Sequence, residues 1–158
     1  PMRKMFLMAA LSILLLVTGT GCEKETDLSE SSRFELKTDY TYSAHTEDYT
    51  LTFTPKTLTV TDSSGVLTKP VTVDIETRTI QFDGLKIQSD VLFEENSVFI
   101  LGEVLYKIMT KDIKTKTQTQ DKTIQLSGEY LAPFCLTLDK NTVEPQKLEY
   151  HNTVVYFE

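Results

Sequence analysis

Residues Thr79 to Gln88 read TIQFDGLKIQ, and this short stretch decides the fold class. Asp83-Gly84 supplies the two positive φ values of a type I′ turn, the two-residue connection whose twist suits antiparallel strands. With that turn Phe82 falls opposite Leu85 and Ile80 opposite Ile87. Four apolar side chains then share one face, and Gln81 and Lys86 share the other. Turn chemistry and alternation predict the same β-hairpin.

The same period of two extends in both directions. Upstream, Phe34, Leu36, Tyr40 and Tyr42 keep one parity, and Tyr49, Leu51 and Phe53 alternate with Thr50, Thr52 and Thr54. Strands with one buried face have this pattern, and threonine suits the wet face because its branched side chain fits a pleated surface. A second hairpin is expected at Asp62-Ser63-Ser64-Gly65, with Val60 facing Leu67. Further strands are expected at Val71 to Ile75, Ser97 to Met109, Lys122 to Gly128, Phe134 to Leu138 and Lys147 to Phe157. No stretch is assigned to a helix. Lys111 to Lys122 contains KTKTQTQDK, which has no apolar face and reads as an exposed hairpin tip or loop.

Short connections between many strands favour an antiparallel meander. Residues 33–158 are therefore expected to form one all-β domain, closed as an up-and-down barrel or packed as a two-sheet β-sandwich.

Residues 1–21 carry a different pattern. With Met2 as the expected initiator, Arg3 and Lys4 precede an apolar run from Met5 to Thr18, and small residues lead to Cys22. This is the layout of a signal peptide, and the run is shorter than the roughly 20 residues a spanning helix needs. Gly19-Thr20-Gly21-Cys22 resembles the lipobox of bacterial lipoproteins, with Gly19 in the place usually held by an aliphatic residue. The resemblance implies diacylglycerol on the Cys22 sulfur, cleavage before Cys22 and acylation of the new amine. Several acyl chains together anchor a protein stably. Ordinary secretory cleavage, leaving Cys22 as a free thiol, is the alternative. Residues 22–32 would be the lipidated cysteine and a flexible tether, since Glu23 to Ser32 reads EKETDLSESS and has one aliphatic residue. Acids directly after the cysteine also resemble the surface-export signals of Bacteroidota lipoproteins, which implies an outer-membrane location. The strand meander loosely resembles lipocalins, although the chain has no Trp.

Charge and motif content bound the function. Sixteen basic residues stand against 23 acidic ones, and without Arg3 and Lys4 the balance moves from −7 to −9. Such a chain does not suit nucleic acid or anionic headgroups, which leaves the lipid on Cys22 as the membrane contact. His45 and His151 stand apart, with no metal-ligand spacing, and no Gly-x-Ser-x-Gly elbow or phosphate-cradling glycine loop occurs. No enzyme, cofactor or metal is expected. Cys135, within Ala132 to Leu136, is expected to be a buried packing residue. Tyr40, Tyr42, Tyr49, Tyr130, Tyr150 and Tyr156 lie at or near strand positions and could pack a core or line a binding site. Two functions follow. A barrel would hold a small apolar ligand or a sugar, and a filled sandwich would serve through its edges as an accessory subunit of an envelope assembly.

Overall fold

The computed structural model describes residues 34–62, 70–88 and 98–158. The expected signal segment, Cys22 and the expected tether lie outside the described residues, as do Ser63, Ser64, Gly65 and Leu67 of the second expected turn.

Among the described residues eleven antiparallel strands form one sheet. In chain order they are β1 (Tyr42–His45), β2 (Tyr49–Phe53), β3 (Thr57–Asp62), β4 (Val71–Asp74), β5 (Thr79–Phe82), β6 (Leu85–Gln88), β7 (Lys116–Thr119), β8 (Thr123–Tyr130), β9 (Ala132–Asp139), β10 (Pro145–Tyr150) and β11 (Thr153–Phe157). In space the order is β6-β5-β4-β3-β2-β1-β11-β10-β9-β8-β7. The meander is as expected, but among the described residues the sheet does not close: β6 and β7 each have a single neighbour. The junction of β1 with β11, which unites the two halves, spans only His45 opposite Tyr156 and Ala44 opposite Phe157.

Cross-strand rows explain the two faces. From β2 to β6, Phe53, Leu58, Val73, Ile80 and Ile87 stand opposite one another in turn. Across the other half the matching row is Val155, Leu148, Leu136, Leu126 and Thr117. Ser43, Thr52, Thr59, Thr72, Gln81 and Lys86 form a polar row on the opposite face. The hairpin at Asp83-Gly84 has the predicted register, with φ of +52° at Asp83 and +83° at Gly84.

Five expectations are corrected. The strand foreseen over Ser97 to Met109 is instead a 3₁₀ turn, Val98–Ile100, leading into helix α1, Leu101–Met109. Leu101, Val104, Leu105, Ile108 and Met109 recur at helical spacing, so the run carries an apolar stripe that can cover a sheet face. The helix ends in a Schellman arrangement. Asp112 N–H donates to the Lys107 carbonyl at 2.8 Å and Lys111 N–H to Ile108 at 3.1 Å, with Lys111 at φ +59°. Second, Val60 pairs with Val71, not Leu67, so the connection after β3 is longer than a four-residue turn. Third, the strand foreseen over Lys147 to Phe157 is two strands, divided at His151, whose φ of +55° reverses the chain. Fourth, residues 34–41 form no strand although they keep the parity of β1. Fifth, within Lys111 to Lys122, expected as an exposed hairpin tip or loop, Lys116–Thr119 instead forms β7, paired with β8 and with Thr117 buried.

One core cluster joins α1 to both halves of the sheet. Gly102 lets the helix lie close against its neighbours: a Cβ there would lie 2.9 Å from Ile75 Cδ1 and 3.0 Å from Leu58 Cβ. The space a barrel would leave for a ligand is taken by Val104, Leu105, Ile108 and Met109 of the helix, all buried.

Candidate functional site

A buried carboxylate lies where the helix meets both halves of the sheet. Glu103, in the first turn of α1, is 8% exposed. Arg78 reaches it from the β4–β5 turn, with Nη2 3.2 Å from Oε1 and 3.1 Å from Oε2. Arg78 itself holds φ +55°, so the backbone is bent to deliver the guanidinium. From the end of β8, Tyr130 donates its hydroxyl to Oε2 at 2.8 Å, while its carbonyl accepts the Tyr150 hydroxyl at 2.8 Å. Burial, then the bond to Glu103, pushes the Tyr130 phenol up to about 12. Lys107 lies over the Tyr130 ring, 5.4 Å from its centroid, and pairs with Asp112 at 3.1 Å. Two donors occupy the carboxylate oxygens, which is the geometry of a clasp between helix and sheet. A pocket of about 240 Å³ opens beside it, lined by Pro55, Lys56, Ile75, Glu76, Tyr106 and Lys107.

A second opening lies between two hairpin tips. His45, Glu47 and Asp48 from the β1–β2 hairpin and Asn152, Val154 and Tyr156 from the β10–β11 hairpin line a cleft of about 540 Å³. Thr46 fixes the first tip: its Oγ1 accepts from the N–H of Asp48 at 3.1 Å and of Tyr49 at 3.0 Å. The His45 and Tyr156 rings lie 5.8 Å apart and 30° tilted, and His45 Nδ1 is 3.4 Å from Glu158 Oε2. A third, more apolar groove of about 570 Å³ runs past Phe34, Leu36, Ile108, Ile113 and Leu126.

The two free edges of the sheet differ. On the β5–β6 hairpin Phe82 is 38%, Leu85 57% and Ile87 41% exposed, and every residue of β6 is exposed. On β7 Lys116 and Gln118 face solvent while Thr117 is buried, its hydroxyl without a partner among the described residues.

The residues singled out from sequence are scattered. Cys22 is outside the described residues. Cys135 was expected in the core but stands half-buried, on the parity opposite to Phe134 and Leu136; partial burial raises its thiol pKa. His45 and His151 are exposed, and no group of three His, Cys, Asp or Glu gathers among the described residues. Tyr40 and Tyr150 are buried in the core, whereas Tyr156 is 48% exposed. Burial, then Glu144, pushes Tyr42 up to about 12. The Glu103 clasp escaped sequence reading because its partners lie 25 and 27 residues away. Its one local signal was a single acid inside the apolar run Val98 to Met109. No family model, curated protein or solved structure matches the chain.

Proposed function

We propose that the chain is an envelope lipoprotein, tethered at the outer membrane through lipid on Cys22 and residues 22–32, whose β domain docks a partner protein and performs no turnover. The observation that carries the docking reading is β6, which among the described residues is paired on one side only and leaves Leu85 and Ile87 exposed. Unpaired strand edges are templates for added strands, and soluble proteins ordinarily blunt them. A partner strand alternating apolar with acidic residues fits this edge, setting apolar side chains beside Leu85 and Ile87 and acids beside Lys86. The buried helix supports the same reading, since it takes up the apolar face on which a carrier would hold its ligand.

Two measurements test the proposal. Intact mass of chain purified from membranes is expected to equal residues 22–158 plus diacylglycerol and one acyl group; an unlipidated chain would remove the anchor. A photo-crosslinking residue at Ile87, in native membranes, is expected to join a second protein, and Leu85→Lys to abolish the product. The same probe at Gln118 is expected to join none. Equal products from both edges, or one indifferent to Leu85→Lys, would overturn docking at β6, and a product of twice the chain mass would make a second copy the partner. A carrier of a small apolar molecule is the second reading, favoured by the groove at Phe34, Leu36, Ile108, Ile113 and Leu126. A fatty acid that raises the melting temperature would support it.

A further inference from the structure

The β1–β2 and β10–β11 hairpins end at different heights. β1 leaves the sheet after His45 because Thr46 turns, its N–H donating to the Tyr49 carbonyl at 2.8 Å. β11 begins at Thr153, three residues before its first partner on β1. The alternation of antiparallel hydrogen bonding determines what faces the gap. Glu158 N–H donates to the Ser43 carbonyl at 2.9 Å, so every second residue back from Glu158, first Tyr156 and then Val154, turns its N–H and C=O toward β1. Tyr156 meets His45, but no described residue stands opposite Val154 on that side. Val154 therefore presents a main-chain donor and acceptor to the cleft it lines. Unmet backbone groups of this kind seek a ligand or water.

The surroundings narrow the ligand. Tyr156 and His45 offer ring surface on paired strands, and Glu47, Asp48 and Asn152 offer acceptors and an amide around it. The carboxylates oppose an anion. A peptide would gain one residue pair only, since Thr153 and Val155 turn their backbone groups to β10, whereas strand addition uses several. The volume suits a ligand of one or two sugar rings.

We propose that this cleft binds a neutral saccharide. One ring hydroxyl donates to the Val154 carbonyl, and the oxygen of its neighbour accepts from Val154 N–H. The apolar face of the ring lies on Tyr156, and further hydroxyls donate to Glu47 and Asp48.

The test is NMR titration of the purified chain with maltotriose, cellotriose and chitotriose, each neutral, alongside an oligoglucuronate and a lysine-rich extended peptide. At least one neutral sugar is expected to shift the Val154 amide and the Tyr156 ring together. Tyr156→Ala, at an exposed position, is expected to weaken that binding about tenfold with the melting temperature unchanged. Asp48→Asn should weaken it as well, and a second variant of this kind guards against a folding artefact. The proposal is overturned if no neutral sugar shifts Val154, if Tyr156→Ala binds as well as the parent, or if only the peptide or the acidic sugar binds.

Discussion

The core row of the sheet runs out differently at its two edges. Toward β6 it passes through Leu58, Val73 and Ile80, all buried, and ends on Ile87, an apolar side chain left in water. Toward β7 it passes through Leu148, Leu136 and Leu126, also buried, and ends on Thr117, a polar side chain shut away from water. Each edge thus carries the residue that the other would better accommodate. Lysine on an edge strand discourages pairing, and β7 shows Lys116 beside exposed Gln118. β6 has Lys86 as well, but flanked by Leu85 and Ile87. Among the described residues the β6 edge thus exposes apolar side chains that the β7 edge does not.

Glycine substitutions should widen the contrast most. A Cβ on Gly128, in β8 next to β7, would stand 2.7 Å from the Lys114 carbonyl oxygen and 2.8 Å from Phe134 Cζ. The backbone oxygen cannot swing aside, so Gly128→Ala is expected to cost about 3 kcal/mol, read as a lower urea midpoint. Gly84, at the β5–β6 turn, has nothing within 4 Å of its Cβ position. Only its φ of +83° resists a side chain, and Gly84→Ala should cost about 1 kcal/mol. Equal costs would mean the β7 side is no tighter than the β6 side.

The Glu103 clasp is the next place to press, because it joins Arg78 from the β6 half to Tyr130 from the β7 half. Glu103→Leu removes the carboxylate that accepts from both Arg78 and the Tyr130 phenol, and is expected to cost about 2 kcal/mol, less than for a fully buried pair because Arg78 is partly wet. Local opening should then spread to both edges in hydrogen exchange. Confinement of the loss to one edge would show that the clasp serves that side alone. The tyrosines add a pH signature. Their folded pKa lies above the ordinary 10.0, at about 12 for Tyr42 and Tyr130, so the neutral phenol is the form the fold prefers. Stability from this source is complete below pH 10 and is lost as pH rises from 10 to 12. Tyr130→Phe should blunt that alkaline fall in a series of urea midpoints.

The legibility of these features in sequence follows the distance over which they are encoded. The β5–β6 hairpin needs only Asp83-Gly84 and the three residues on each side, and it appears with the expected register. α1 carries its stripe in nine residues, but the run from Val98 is so rich in apolar and β-branched side chains that period two and period 3.6 both fit it. Nothing local records that β1 pairs with β11, a contact between chain segments more than a hundred residues apart. That junction determines the cleft at Val154, and the clasp depends on turns brought together by the same non-local pairing. Composition and alternation therefore reveal the faces of the strands, whereas the sites form where strands end.

Thr117 offers a smaller effect of opposite sign. Its hydroxyl is buried without a partner among the described residues, and its side chain faces Leu126 across the strand pair. Thr117→Val keeps the shape and the branching while removing the unpaired polar atom, so it should stabilise by about 1 kcal/mol. A loss instead would mean that the hydroxyl has a partner, such as an ordered water, in solution.

Ile87 should show the smallest effect on stability and the largest on association. With much of its side chain already in water, Ile87→Thr sacrifices little burial and keeps a β-branched residue on the strand, so the urea midpoint should move by no more than about 0.5 kcal/mol. The same change should weaken crosslinking from a probe at neighbouring Leu85, because a partner strand would lose the apolar contact beside it. A marked fall in stability would show that Ile87 completes the core as Thr117 does, and the two edges would then be alike. An unchanged midpoint with unchanged crosslinking would leave the exposed row at β6 without a partner. Only the separation of the two readouts, stability kept and association lost, is what an edge reserved for docking predicts.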